Sequence, residues 1–445
     1  MDASHNVLLT RVGPGTPMGN LMREFWIPAC LPDELAADAP PMRLMLLGEK
    51  LIAFRDSAGR IGIMDHRCPH RCASMFFGRN EQNGIRCAYH GWKFDVDGNC
   101  LDMPNVPQDQ QFRSHVKARA YRTAEHGGLV WVYMGDRDQP PKLPDLEVFS
   151  LPPEERLITL HQRDCNWLQS LEGDIDTSHF GFLHVGAVDA DDVAPDNMYR
   201  WGLLDRAPRY HARDTDWGTM YAAYRPAAPG TTFYRFAHFV FPCFAMVPDG
   251  EFGHMIQSTL SVPLDDTHTM TYVLGWTKRK QALRTLKDGS WIPGAAVNRV
   301  YQPRTNDWFG RWRLVANKQN DYQLDREEQM SGRSFTGIQG IGQQDQAMVE
   351  SMDGAVEGIV DRTLEHLAPS DRMIALTRRR LLNALKAHAT DRTVPKICAS
   401  PEVMRTARGG SFIASENVDW LQAYDEQLRL AQSPAEFLHR SETSA

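Results

Sequence analysis

Arg67-Cys68-Pro69-His70-Arg71 and Arg86-Cys87-Ala88-Tyr89-His90-Gly91-Trp92 decide how this 445-residue chain is read. Each segment offers one Cys and one His, spaced Cys-x-His, sixteen residues, then Cys-x-x-His. Thiolates suit soft or borderline metals and imidazoles suit zinc or iron, so two such loops can close around metal. A structural zinc site usually pairs Cys with Cys, or His with His, on one loop. One Cys and one His on each loop instead fits two metal ions, both thiolates on one and both imidazoles on the other. That is the ligand set of a [2Fe–2S] cluster in which two histidines replace two cysteines on one iron. On this pattern the cluster outweighs structural zinc.

Outward from these loops the chain reads as β structure. The apolar runs 44–47, 51–54 and 61–64 are separated by Gly48-Glu49-Lys50 and Asp56-Ser57-Ala58-Gly59, which predicts short strands joined by turns. Another apolar run, 128–135, leads to Pro140-Pro141. A small all-β unit is therefore expected over residues 45–140, with residues 1–44 and 141–445 forming a larger α+β unit. There, residues 239–241 and 270–276 predict strands, and residues 166–184, 343–363 and 371–388 predict helices.

Composition bounds the rest. The chain is 42% hydrophobic and 24% charged, which excludes disordered, fibrous and disulfide-scaffold classes. A net charge of −7 provides no basic field to gather phosphates, so no nucleic-acid partner is expected. Four of the eight cysteines fall within residues 68–100, unlike a stapled secreted fold. The first residues carry no basic-then-apolar leader, and the most apolar run, 236–247, is too short to span a bilayer. The expectation is a cytoplasmic protein of two or three folded units with no membrane partner.

A second constellation lies in residues 166–184. Glu172, Asp176 and His179 fall at i, i+4 and i+7, one stripe of a helix. His184 follows His179 by five residues, about 140° round a regular helix. Their rings converge only from flanking sides or through a distortion, which Gly181 makes cheap. The plain alternative is a solvated acidic face. Phe180, Phe182 and Leu183 argue against it, because imidazoles buried among them need partners. Two histidines and one carboxylate form the facial triad of non-haem Fe(II) oxygenases. In residues 343–354, Asp345, Glu350 and Asp353 compete to be that carboxylate.

The segment Cys68-Pro69-His70-Arg71, taken with Cys87-Ala88-Tyr89-His90-Gly91-Trp92-Lys93-Phe94-Asp95, resembles the Rieske loops of bacterial aromatic-ring-hydroxylating oxygenases. Glu172-x-x-x-Asp176-x-x-His179-x-x-x-x-His184 resembles the mononuclear-iron motif of the same family, and the two stand in family order. Arg11-Val12-Gly13-Pro14-Gly15, Phe25-Trp26-Ile27-Pro28 and Arg378-Arg379-Arg380-Leu381-Leu382 are similar to its phthalate dioxygenase-like branch. The resemblance implies an α+β fold, in which a small all-β Rieske [2Fe–2S] domain joins a larger catalytic domain with a helix-flanked antiparallel sheet of helix-grip type. It implies Cys68, His70, Cys87 and His90 as cluster ligands. It implies His179, His184 and Asp345 as ligands of one Fe(II), with Asp353 the rival to Asp345. Asp176 would link electronically to a Rieske histidine, matching His90, of a neighbouring subunit in a homotrimer or hexamer.

The implied activity is a terminal oxygenase that hydroxylates an aromatic carboxylate or phenoxy acid with O₂. Electrons come from NAD(P)H through a separate reductase, since the chain carries no G-x-G-x-x-G fingerprint and no second cysteine cluster. A Rieske O- or N-demethylase is the alternative within the family. A non-catalytic Rieske carrier and a zinc-stabilised binding protein are the alternatives outside it. Family members commonly carry a small residue, often Gly, at the position of Cys72, and Asn or Asp at that of Glu172. Cys72 is expected as a buried reduced thiol or in a disulfide with Cys100, and His66 as a satisfied loop histidine. Arg200, Arg206, Arg209, Arg213 and Arg235 read as surface charges, and Phe233, Phe236, Phe239, Phe241 and Phe244 as sheet core.

Overall fold

The computed structural model describes residues 1–296 and 299–434. Its first ten strands are β1 Trp26–Cys30, β2 Met42–Leu46, β3 Glu49–Arg55, β4 Ile61–Asp65, β5 Arg79–Asn80, β6 Ile85–Arg86, β7 Lys93–Phe94, β8 Cys100–Asp102, β9 Ala120–His126 and β10 Leu129–Tyr133. They build a six-stranded sheet, β1-β10-β9-β4-β3-β2, and a small four-stranded one, β5-β6-β7-β8. Strand β3 shows why the sequence here is apolar without a break. Leu51 and Ala53 enter the main core, while Ile52 and Phe54 enter a second core with Met64, Cys68, Cys87, Trp92 and Phe94. Successive side chains leave opposite faces of a strand, so burial on both faces removes the polar alternation. Residues 1–44 contribute to this six-stranded sheet as well: β1 pairs with β10, Trp26 opposite Tyr133, and Met42, Arg43 and Leu44 of β2 pair with β3.

The larger sheet comprises β11 Arg156–Arg163, β12 Arg209–Asp214, β13 Gly218–Pro226, β14 Thr231–Val240, β15 Phe244–Met246, β16 Gln257–Pro263, β17 Thr269–Trp276 and β18 Gly410–Ser415. Its order is β11-β17-β16-β15-β14-β13-β12, antiparallel throughout, with β18 also on β14. The helices are α1 Ala3–Thr10, α2 Pro17–Arg23, α3 Trp167–Ile175, α4 Arg200–Leu204, α5 Arg326–Met330, α6 Ile341–Glu350, α7 Arg372–Asp391 and α8 Trp420–Leu430. Helix α3 lies on β15 and β16, and α7 on β12 and β13, giving the expected α+β layering. Among the described residues no helix is long and apolar enough to cross a membrane.

Two expected helices are shorter than the pattern suggested. Helix α3 stops at Ile175, because Asp176 turns to extended backbone and its Oδ1 accepts from the Ser178 N–H (2.7 Å) and hydroxyl (2.9 Å). Such local side-chain bonds compete with helix continuation. The i, i+4, i+7 stripe is therefore not formed. Helix α6 stops at Glu350, after which Asp353 Oδ1 accepts from the Gly358 N–H and closes a turn.

Glu172, from the broken stripe, serves the fold. It is 7% exposed, and it accepts from Arg378 Nε at 2.6 Å and from Arg362 Nη2 at 2.8 Å. Arg362 also donates to Asn6, so this carboxylate ties α3 to α7 and to α1. Burial pushes the Glu172 carboxyl up, but Arg362 and Arg378 outweigh it and hold the group below its ordinary value. Glu172→Gln should cost about 3–5 kcal/mol, because it leaves buried guanidinium charge uncompensated. Since the folded pKa is depressed, the advantage of wild type over the variant is full above the unfolded Glu value. It shrinks as pH falls through the folded one. Urea titrations at neutral and acidic pH check both the size and the trend.

Candidate active site

The two Cys/His loops share one backbone design. Residues 67–74 follow β4, and residues 87–92 join β6 to β7. In the first, Cys72 N–H donates to Cys68 O and Cys68 N–H to Ala73 O; in the second, Gly91 N–H donates to Cys87 O and Cys87 N–H to Trp92 O. Cys72 and Gly91 thus hold equivalent places, both with positive φ (60° and 77°). This explains why glycine suits the Cys72 position, since L-residues adopt that backbone only with strain. A Cβ on Gly91 would also lie 2.6 Å from Pro104 Cγ. Cys72 is exposed and Cys100 buried, and both thiols are free, so neither the disulfide nor the buried Cys72 is found.

Cys68 and Cys87 are buried (1% and 3% exposed), whereas His70 and His90 stand nearer the surface with ring centroids 4.5 Å apart. Trp92 stacks on His70 at 4.4 Å, and its indole N–H donates to Asn105. Arg86 braces the second loop through Gly91 O (2.7 Å) and Asp102 (2.8 Å). Burial, with Cys87 beside it, pushes the Cys68 thiol up to about 12. Two neighbouring buried sulfurs, one from each loop, fit thiolate ligation of metal. His66 shares Ser74 Oγ at 3.2 Å and meets Trp308 edge-on, a satisfied loop histidine.

His179, His184 and Asp345 come together, their ligand atoms all within 4.8 Å of one another. The distortion expected at Gly181 is a π turn, Phe180–His184, in which Val185 N–H reaches back five residues to Phe180 O. It brings the two rings to 5.0 Å. His179 Nδ1 donates to Asp176 Oδ2 (3.2 Å) and His184 Nδ1 to Gln344 Oε1 (2.8 Å). Both Nε2 atoms are thereby left facing Asp345 Oδ1, at 3.6 and 3.1 Å. Outer bonds that fix the ring and tautomer in this way are the usual support of a metal-binding histidine. Burial pushes Asp345 up, yet His184 and His179 hold it well below the usual carboxylate range.

Gln344 escaped the sequence reading. Its Nε2 donates to Ile338 O (2.9 Å) and Gly294 O (3.2 Å), which turns its carbonyl toward His184. The rival acids lie elsewhere: Glu350 binds Tyr322 and the Asp164 N–H, and Asp353 binds Lys318 and Gly358. The three converging groups open into a cleft of about 1040 Å³. Arg235, expected at the surface, is buried and lines that cleft, donating to Thr177 O and Pro248 O. Arg206 braces the π turn through Gly181 O and Val188 O. The five phenylalanines are buried in the sheet core, as expected.

Residues 25–119 match the family described as Rieske [2Fe-2S] domain, and residues 132–440 that described as LigXa C-terminal domain like. The chain is 47% identical over 423 residues to the 3-chlorobenzoate-3,4-dioxygenase oxygenase subunit of Comamonas testosteroni, covering 94% of this chain and 97% of the relative. It is 36% identical over 432 residues to the phthalate 4,5-dioxygenase oxygenase subunit of Pseudomonas putida, covering 93% of each. The solved structure of a caffeine-bound NdmA mutant from Pseudomonas putida CBB5 shares the fold, with a TM-score of 0.55 at 18% identity. That match covers 90% of this chain and 99% of the other. The chain therefore belongs to the Rieske non-haem iron ring-hydroxylating oxygenases, in their phthalate dioxygenase-like branch, whose oxygenase subunits carry a [2Fe–2S] cluster and a mononuclear iron and take electrons from a separate reductase.

Proposed function

We propose that this oxygenase component hydroxylates an aromatic carboxylate. The observation that carries the reading is two imidazoles and one carboxylate converging on the wall of a cleft of about 1040 Å³. Relatives that act on 3-chlorobenzoate and phthalate support the substrate class. Cys68, Cys87, His70 and His90 would hold the cluster, and His179, His184 and Asp345 the Fe(II). When bound, the two centres supply one-electron transfer and O₂ activation.

The chain's own residues position and insulate. Asp176 and Gln344 fix the two imidazoles, and Phe180 walls the cleft beside Arg235, whose guanidinium lies 4.3 Å from its ring centroid. Addition of both oxygen atoms consumes two electrons and two protons and gives a cis-dihydrodiol. Monohydroxylation consumes the same and releases water. The division into a Rieske unit at residues 45–140 and a catalytic remainder belongs to this proposal. So do a cytoplasmic location and a homotrimer or hexamer that sets Asp176 beside the partner's Rieske loops.

Purified with a reductase of this class and NAD(P)H, the protein should show benzoate-dependent O₂ uptake matched by hydroxylated product. A chain that is reduced and reoxidised without product would be an electron carrier. A methoxylated benzoate assayed in parallel distinguishes demethylation by release of formaldehyde.

Two variants test the assigned residues. Asp345→Ala should lower iron from about three to about two per chain with the cluster spectrum intact, whereas Asp353→Ala should keep all three. Iron lost from Asp353→Ala alone would reverse the assignment. Asp176→Ala should keep about three irons and substrate binding but lose most turnover, and its reduced cluster should persist when O₂ and substrate are added. Normal turnover would remove Asp176 from the electron path.

A further inference from the structure

The cleft has a second chemical feature that its iron-facing residues do not account for. Five arginines reach it: Arg163, Arg235, Arg279, Arg284 and Arg299. Three are engaged. Arg284 donates to both oxygens of Asp249 (2.7 and 2.9 Å), Arg163 donates to Ser170 Oγ (2.8 Å) with Asp174 at 3.9 Å, and Arg235 is held by two backbone carbonyls. Among the described residues Arg279 donates to the Trp276 carbonyl, with the Asp249 carboxylate acting on it at longer range, and Arg299 has no hydrogen-bond or ion-pair partner. Arg299 is nevertheless not a loose surface chain. The neighbouring Tyr301 donates to Leu160 O of β11 at 2.8 Å, and Arg299 Nη2 lies 4.0 Å from where a Cβ on Gly342 would sit, at the start of α6.

The sheet wall beside these arginines is also unsatisfied. His161 of β11 is 2% exposed and lines the cleft, yet neither of its ring nitrogens has a partner. Thr271, directly opposite His161 in the sheet, and Thr159 on the same face as His161 likewise leave their hydroxyls unpaired. Buried polar groups are almost always hydrogen-bonded, so a cluster of orphans around a cleft marks where a ligand's polar atoms go.

We propose that Arg299 and Arg279, with His161 on the sheet wall, form the subsite that takes the carboxylate of the aromatic substrate. The inference rests on the oxygenase reading and names the group by which that substrate is recognised. A carboxylate accepts from a guanidinium through two parallel bonds, which the protein's own groups do not supply to Arg299 among the described residues. Burial depresses both arginines, partly offset by Asp249 at Arg279 and by Tyr301 at Arg299, while Arg299 beside Arg279 and Arg163 beside Arg299 add to it. Burial, with Arg163 and Arg299 nearby, holds the His161 ring well below its ordinary value and so neutral, with one donor and one acceptor to offer. A neutral arene would leave these groups unpaired, so the site discriminates by charge.

The test is calorimetric binding of benzoate and benzamide to the anaerobic, iron-loaded protein, with no turnover required. Wild type should prefer benzoate by at least tenfold. Arg299→Gln and Arg279→Gln should each weaken benzoate roughly 10- to 100-fold, the size of a charge-assisted hydrogen-bond pair, and change benzamide less than about threefold. Arg299→Lys should restore part of the preference, and Arg213→Gln, on an exposed strand edge, should alter neither ligand. Glutamine variants that fold, carry full iron and keep the wild-type preference would overturn the subsite. So would a wild type without preference for the anion, even if it hydroxylated neutral arenes and so upheld the oxygenase reading. Tight, arginine-dependent benzoate binding without any oxygenation would do the reverse.

Discussion

Two imidazoles five residues apart must aim at one point, and a regular α-helix sets such residues about 140° apart. The surroundings of His179 and His184 follow from how the chain meets that requirement. Helix α3 ends at Ile175, Asp176 closes its last turn, and the chain re-enters as the π turn Phe180–His184. Arg206 donates to the Gly181 carbonyl within that turn and to the Val188 carbonyl just beyond it. The wider ring of a π turn brings residues five apart nearly into line, and the two rings meet at 5.0 Å.

Direction is then set from outside the ring pair. Asp176 and Gln344 take the two Nδ1 atoms, so the two Nε2 atoms share the space in front of Asp345. Gln344 in turn depends on carbonyls at Gly294 and Ile338, where a Cβ on Gly294 would lie 2.6 Å from its amide nitrogen. The sheet face opposite has a different character. Strand β11 presents Thr159, His161 and Arg163 to the cleft and turns Ile158 and Leu160 to the main core. One wall therefore gathers nitrogen and oxygen donors at a point, and the other spreads cationic and hydroxyl groups along a surface.

The strands around the Cys/His loops were legible because short apolar runs between turn residues have few other folds open to them. Both cores of β3 are visible in the unbroken Leu51-Ile52-Ala53-Phe54. The end of α3 was not legible, because Asp176 breaks the helix through bonds to Ser178 that apolar periodicity does not register. Gln344 pairs with a histidine 160 residues away, and β1 with a strand a hundred residues on, so neither leaves a local signal. The burial of Arg235 is hidden from the sequence for a related reason. Strand β14 is buried on both faces, so period-two alternation no longer marks which positions meet solvent. Periodicity does not separate Asp345 from Glu350 and Asp353, a choice that only resemblance implies; in the structure Asp345 lies opposite the two histidines.

Seven side chains, four on the Cys/His loops and three in the cleft, are proposed to hold two separate iron centres. Anomalous diffraction from crystals of the purified protein, recorded on either side of the iron edge, tests it without reference to substrate. A two-iron peak is expected between Cys68, Cys87, His70 and His90, and a single-iron peak bounded by His179, His184 and Asp345. A peak at the zinc edge between the Cys/His loops, or iron bound at Asp353 in place of Asp345, would contradict it.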